Sequence, residues 1–297
     1  MSKEDRYFTA PLSILSSGQT AHEALDNAIE CGIVNAGIGY RESKGEDEFQ
    51  TLLEQANEAA REKDRPTSPP HGLKLKDSDD KLIGGARAVE LWEAAHAGAK
   101  LLGVTGGNRA KEAQTWATHF IKDAVFFTIK SDWLWNAVYT ARKEAGRKID
   151  HEFQPLSWRE FRILAAILSA PVHKSRGFVF LGWPSIQARS CGFHNKQLFS
   201  IGEPSLPPHC QPFARSQIDL TTKRMEANKF YLKFRYSSGP CGGDAAYSFR
   251  HDTREKLAAA VGEFKSRCRI KQVVDANRAR DRELCANMQA ASKKPAT

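Results

Sequence analysis

Cysteine is sparse in this 297-residue chain: six residues (Cys31, Cys191, Cys210, Cys241, Cys268 and Cys285), none in a CxxC pair. A disulfide framework is not expected from that scatter; reduced thiols are. Long apolar runs are missing as well. No uncharged stretch approaches the roughly 20 residues a bilayer-spanning helix needs, and MSKEDRYFTAPLS lacks the apolar centre of a secretory signal. The expectation is a cytoplasmic chain without membrane contact. Catalytic signatures are absent too: no HExxH, GxSxG or Walker A motif occurs, and acids in the second half are few and dispersed. Gly98 and Gly103 have the outer spacing of a phosphate loop, but Val104 stands where its lysine belongs. A non-enzymatic protein without a cofactor is therefore expected. A nuclease whose residues converge only in space remains an open alternative.

Metal ligation has one candidate set. Cys191, His194, His209 and Cys210 offer two thiols and two imidazoles, a composition zinc accepts. The adjacency of His209 and Cys210 is awkward for a tetrahedral site, so loop residues around a small buried thiol are preferred and no metal is assigned.

What the chain does have is a basic half. Residues 1–150 hold 20 Lys and Arg against 23 Asp and Glu, a net −3, while residues 151–297 hold 24 against 12, a net +12. Such asymmetry suggests a polyanion-facing half beside a more neutral one. Solubility alone can also produce a basic surface.

The first half reads as helix-rich. Thr20 and Glu23 have capping-box spacing, followed by Leu25 and Ile29, which predicts a helix over 21–31. Residues 46–63 form a second helix with acids at its start and bases at its end, and RPTSPPHG at 65–72 breaks it. Val89, Leu91, Trp92 and Ala95 mark a third helix over 86–102, with another expected over 109–119. The pair, over 86–120, admits a helix-turn-helix reading with Arg109, Lys111 and Gln114 as contacts. A plain helix pair around a glycine turn is preferred. Residues 124–129 are strand-like, and 132–144 a helix whose Trp133, Trp135 and Tyr139 belong to the core.

The second half carries the function. Ser157 and Glu160 form a capping box, with Leu156 and Phe161 as its hydrophobic staple. Phe161, Leu164, Ala165 and Leu168 then repeat at helical spacing up to Pro171. Phe178 to Leu181 is β-prone, and Pro184 to Gly192 bound a short helix. Residues 193–212 are too long and Pro-rich for a tight turn. Ser216 and Asp219 are expected to cap the next helix and Asn228 to end it in a left-handed conformation. In that helix Ile218, Thr222 and Met225 share one face, and Gln217, Leu220, Lys223 and Arg224 the other. Phe230 to Tyr236 alternates, with Phe230, Leu232, Phe234 and Tyr236 inward and Tyr231, Lys233 and Arg235 outward; residues 246–250 return through Tyr247 and Phe249 after SSGPCGGD.

This order, residues 155–252, resembles the winged-helix DNA-binding superfamily. The resemblance implies a winged-helix domain over 151–252; with the helical patterns on either side, the expectation is an α+β, mainly helical protein with a helix-rich domain over 1–150 and, over 253–297, a basic helix with tail that docks or dimerises. The resemblance of the short helix to the supporting helix of winged-helix proteins implies that Ile186 faces the core while Gln187 and Arg189 reach phosphate. It implies a sequence-specific double-stranded DNA-binding protein, a plasmid or phage replication initiator or a transcriptional regulator, contacting DNA through Arg189, Arg215, Gln217, Leu220, Lys223, Arg224, Lys233, Arg235 and Arg250. A homodimer or other proteins of a nucleoprotein complex are compatible partners. The alternative is a winged fold used as a protein-docking surface in such a complex.

Overall fold

The computed structural model describes residues 6–76, 81–104, 116–117, 125–170, 177–235, 245–268 and 272, with Arg235 described by its backbone alone. The fold is α+β and mainly helical, with small antiparallel sheets. Among the described residues, no helix is long and apolar enough to cross a membrane.

The chain opens with β1 (Tyr7–Pro11) and a 3-10 turn, Leu12–Ser16, and enters α1 (Ala21–Lys44). Thr20 caps α1 as its spacing implies: its hydroxyl accepts from the Glu23 amide at 3.2 Å, while the Glu23 carboxylate accepts from the Gln19 amide at 2.6 Å. The helix runs 13 residues past the expected end at 31. Its glycines explain the miss, because they are contact points rather than breaks. A Cβ on Gly32 would lie 2.4 Å from the Phe8 ring, and one on Gly37 would lie 2.0 Å from the Ala94 carbonyl oxygen.

That carbonyl belongs to α3 (Gly85–Leu102), which follows α2 (Glu46–Arg61) and the two-residue ladder of β2 (Leu75–Lys76) with β3 (Leu82–Ile83). Gly98 of α3 meets α1 in return, since a Cβ there would lie 1.8 Å from the Ile33 carbonyl oxygen. Gly98 therefore serves a close helix crossing. Beyond α3, the proposed contacts Arg109, Lys111 and Gln114 lie outside the described residues, as does most of the second helix of the pair. β4 (Phe126–Lys130) then pairs antiparallel with β1, from Tyr7 opposite Lys130 to Pro11 opposite Phe126. Next come α4 (Ser131–Glu144) and α5 (Trp158–Leu168).

The second half continues with β5 (Phe178–Leu181), α6 (Trp183–Ser190), α7 (Lys196–Gly202), α8 (Arg215–Ala227), β6 (Leu232–Arg235), β7 (Ala245–Ser248) and α9 (254–268). The three strands form one antiparallel sheet in the order β5-β7-β6. Both faces are covered. Tyr231 and Tyr247 join the main core, whereas Phe178 and Ala246 pack against Leu257 and Val261 of α9, with Phe180, Leu232, Phe234 and Phe264 around them. This corrects the assignment of inner and outer faces in β6. Tyr231 and Lys233 are buried at 4% and 6% exposure, because α9 takes the other side of a strand expected to be half solvated.

One apolar core runs through both halves. Phe127 of β4 meets Phe161 of α5 edge-on at 6.0 Å, and Trp133 of α4 meets Phe230 at 5.3 Å. Trp135 stacks on Tyr139 at 5.8 Å.

The α1–α3 crossing yields a stability prediction. Gly98→Ala should lower the unfolding free energy in urea by about 2 kcal/mol, the cost of overpacking against backbone less a helix-propensity gain of about 1 kcal/mol. In Gly39→Ala, where nothing lies within 4 Å of an added Cβ, only the gain should appear.

Candidate nucleic-acid interface

α8 is built with one face to pack and one to present. Ile218, Thr221, Thr222 and Met225 are buried at 3% exposure or less, while Ser216, Leu220, Lys223 and Ala227 face outward, with Arg215 and Arg224 at the edges of that face. Leu220 is 70% exposed. The helix starts one residue before Ser216, so neither Ser216 nor Asp219 caps it. Gln217 does so instead, its side-chain oxygen accepting from the Ala214 amide at 2.9 Å. At the other end Asn228 has φ −82° and Lys229 takes the left-handed conformation at φ 61°. The Phe230 amide reaches the Met225 carbonyl and the Lys229 amide the Glu226 carbonyl. This is a Schellman closure with Met225 and Phe230 as its apolar pair.

The residues named from sequence fall into two groups. Arg215, Leu220 and Lys223 are exposed on α8, and Arg250 is exposed just past β7, its amide donating to Ser248 Oγ at 3.2 Å. Of the others, Arg189, Gln217, Arg224 and Lys233 are engaged within the fold. Arg224 donates from Nε to the buried Glu160 carboxylate at 2.9 Å while its own side chain stays 56% exposed. Glu160 is the capping-box acid of α5, whose other oxygen accepts from the Ser157 amide and hydroxyl at 2.8 and 2.6 Å. Arg189 donates to the Ser169 carbonyl and hydroxyl, both at 3.0 Å, and burial lowers its pKa. Gln187 donates to the Phe213 carbonyl at 3.0 Å. Lys233 departs furthest from expectation: its ammonium bonds Thr222 Oγ1 at 2.6 Å, lies 3.8 Å from Asp219, and is buried under α8. A phosphate cannot reach it there. The Arg235 side chain and the SSGPCGGD turn lie outside the described residues.

The insertion 193–212 is ordered around a cation that sequence reasoning passed over. Arg162 of α5, 2% exposed, donates to the carbonyls of Ser190 (2.6 Å), His209 (3.2 Å), Cys210 (3.1 Å) and Gln211 (3.0 Å) and to Cys191 Sγ (3.2 Å). It also lies 4.1 Å over the Phe213 ring. Burial lowers its pKa. Trp158 adds a bond from Nε1 to the His209 carbonyl at 2.8 Å. Cys191 and Cys210 thus sit beside Arg162 in a small cluster with Ala188, Phe199 and Leu206. A hydrogen bond from Cys210, helped by the Arg162 guanidinium against the opposing effect of burial, draws the Cys191 thiol down to about 7. The same hydrogen bond and burial raise that of Cys210. Burial lowers the pKa of His209. Among the described residues, no three His, Cys, Asp or Glu side chains converge on a metal position.

Two outcomes follow from these contacts. Arg224→Ala leaves one Glu160 oxygen unpaired, and because Arg224 is more than half exposed the loss should be about 1 to 2 kcal/mol in urea unfolding, below the cost of breaking a fully buried pair. For the thiols, unfolded cysteine titrates near roughly 8.5. The lowered Cys191 contributes stability above that value, lost as pH falls toward about 7; the raised Cys210 contributes below it, lost as pH rises beyond. Stability should climb from pH 7 to about 8.5 and decline above, and Cys191→Ala should abolish the climb.

Comparison of the chain with models of known protein families, with curated proteins and with solved structures finds no match.

Proposed function

We propose that residues 155–252, with α9 laid over their sheet, form a winged-helix module that binds double-stranded DNA through the outward face of α8, and that the protein is a non-enzymatic, sequence-specific DNA-binding protein. The observation that carries this reading is topological. The elements follow as α5, β5, α6, α7, α8, β6 and β7, with α7 lying inside the insertion 193–212, the strands are antiparallel in the order β5-β7-β6, and the helix before the β6-β7 pair keeps a solvent face. In a winged helix that helix enters the major groove and the pair forms the wing.

The chemistry of the face supports the same use. Lys223 supplies a cation for a guanine edge or phosphate, Leu220 an apolar contact for a thymine methyl, and Arg215 a backbone anchor, each good base contact being worth about 1 to 3 kcal/mol of discrimination. Arg250 extends the cationic surface beyond α8. The net +12 of residues 151–297 supplies the long-range attraction. A replication initiator or a transcriptional regulator fits this chemistry, and a homodimer would read paired half-sites. The rival use as a protein-docking surface is favoured by two exposed apolar residues, Leu220 at 70% and Ile201 at 78%.

The test is selection from a pool of random duplexes across a salt series. Arg215→Ala/Lys223→Ala is the informative variant, because among the described residues neither has a partner whose loss would unsettle the fold as the loss of the Arg224–Glu160 pair would. Wild type should enrich one motif. The variant should bind at least tenfold more weakly, with the slope of log K against log salt shallower by about 0.9 for each phosphate contact removed. Leu220→Ala should relax preference at one base while leaving that slope unchanged. Equal binding by wild type and the double variant would sink the DNA reading in favour of protein docking.

A further inference from the structure

A cavity of about 540 Å3 lies between the C-terminal half of α2, the Pro-rich segment after it and the C-terminal half of α3, away from α8. Small residues hollow it out: Ala56 and Ala60 stand on the α2 side, Ala99 and Gly103 on the α3 side. Trp92 and His96, one turn apart on α3, both line it and stack with ring centroids 5.0 Å apart and planes 15° apart. Lys63, Arg65 and Lys100 bring positive charge to the lining, and among the described residues no Asp or Glu joins them. Asp64, between the first two in sequence, is exposed and outside the lining.

These features are complementary to one chemistry. The volume lies within the range of about 300 to 1,000 Å3 typical of small-molecule sites. Trp92 and His96, at 3% and 6% exposure, give the inner wall of the cavity an aromatic surface for a flat ring, and three cations with no carboxylate among the described lining residues favour negative charge. The dipole at the C-terminal end of α3, which would repel an anion, is offset in part by Arg6, which donates to the Leu102 carbonyl at 2.8 Å. The geometry points to a binding site for a small aromatic anion, its ring against Trp92 and His96 and its carboxylate or phosphate at Lys63, Arg65 and Lys100. The site is independent of the DNA-binding reading.

Calorimetric titration of the full chain with 1-naphthoate, 1-naphthyl phosphate and the neutral 1-naphthamide tests it. Both anions should bind one to a chain and at least tenfold more tightly than the amide, and each should raise the unfolding temperature. Lys63→Gln/Lys100→Gln, at two exposed positions, should erase the preference for charge. Ala59→Trp, on the half-exposed wall of α2, should fill the cavity and abolish binding of all three at unchanged circular dichroism. The relative strength of the two anions distinguishes a carboxylate from a phosphate ligand. Absence of binding at millimolar concentration, equal affinity for the amide, or affinities that neither variant moves would overturn the assignment.

Discussion

A guanidinium that meets no carboxylate among the described residues, buried to 2% exposure, decides where the insertion and the helix after it can go. Taking a charge out of water costs several kcal/mol per ion unless its donors are satisfied. Arg162 meets that demand with carbonyls from two separate stretches, Ser190 at the end of α6 and residues 209 to 211 at the end of the insertion. A path for 193–212 that moved residues 209 to 211 away would deprive the cation of three of its carbonyl acceptors. The constraint then passes along the chain: Phe213 lies under the guanidinium, its carbonyl accepts from Gln187, and Ala214 begins the cap of α8. A segment too long for a tight turn is thereby held as firmly as one. The direction in which α8 leaves it is fixed by hydrogen bonds to α5 and α6.

The same economy governs the other charges. Glu160 closes the first turn of α5 with one oxygen and holds Arg224 with the other, so a cap and a helix-to-helix tie share one carboxylate. Glu226 accepts the Lys233 amide and pairs with Arg254 of α9, tying α8 to β6 and to the helix over the sheet. Lys233 spends its ammonium on Thr222. Of these three cations Lys233 is buried, while Arg224 and Arg254 are tied to carboxylates but keep more than half of their side chains exposed, so the surface left wholly uncommitted for a polyanion is narrower than the composition suggests.

What the sequence made legible was local. The capping boxes at Thr20 and Ser157, the buried face of α8 and the glycine stop at Gly192 are signals within four or five residues, and the structure has them at those positions. The inner face of β6 was misread because alternation has two solutions and only α9, twenty residues on, selects between them. Arg162 sits in an apolar helix where period alone marks it as an outward position; its acceptors lie 28 to 49 residues away. Lys233 misled for the same reason, since an amphipathic side chain next to a turn gives no local sign that its ammonium has an internal partner. Gly37 and Gly98 were legible as glycines but not as a pair, because the helix crossing that needs them is tertiary.

The continuity of the core bears on how the α8 face would act. Phe127 against Phe161 and Trp133 against Phe230 join the two halves inside one apolar cluster, and Phe230 also closes the end of α8. A recognition helix carried on a free linker must lose orientational freedom when it binds, whereas one seated on a packed base has lost it on folding. Lys223 and Leu220 are exposed side chains on such a base. In the proposed binding, the ordering left for them is confined to their own rotamers, about 0.5 to 1.5 kcal/mol per long side chain. A face of few residues can then discriminate between ligands on the strength of one or two contacts, because little of each contact is consumed in ordering the backbone that bears it.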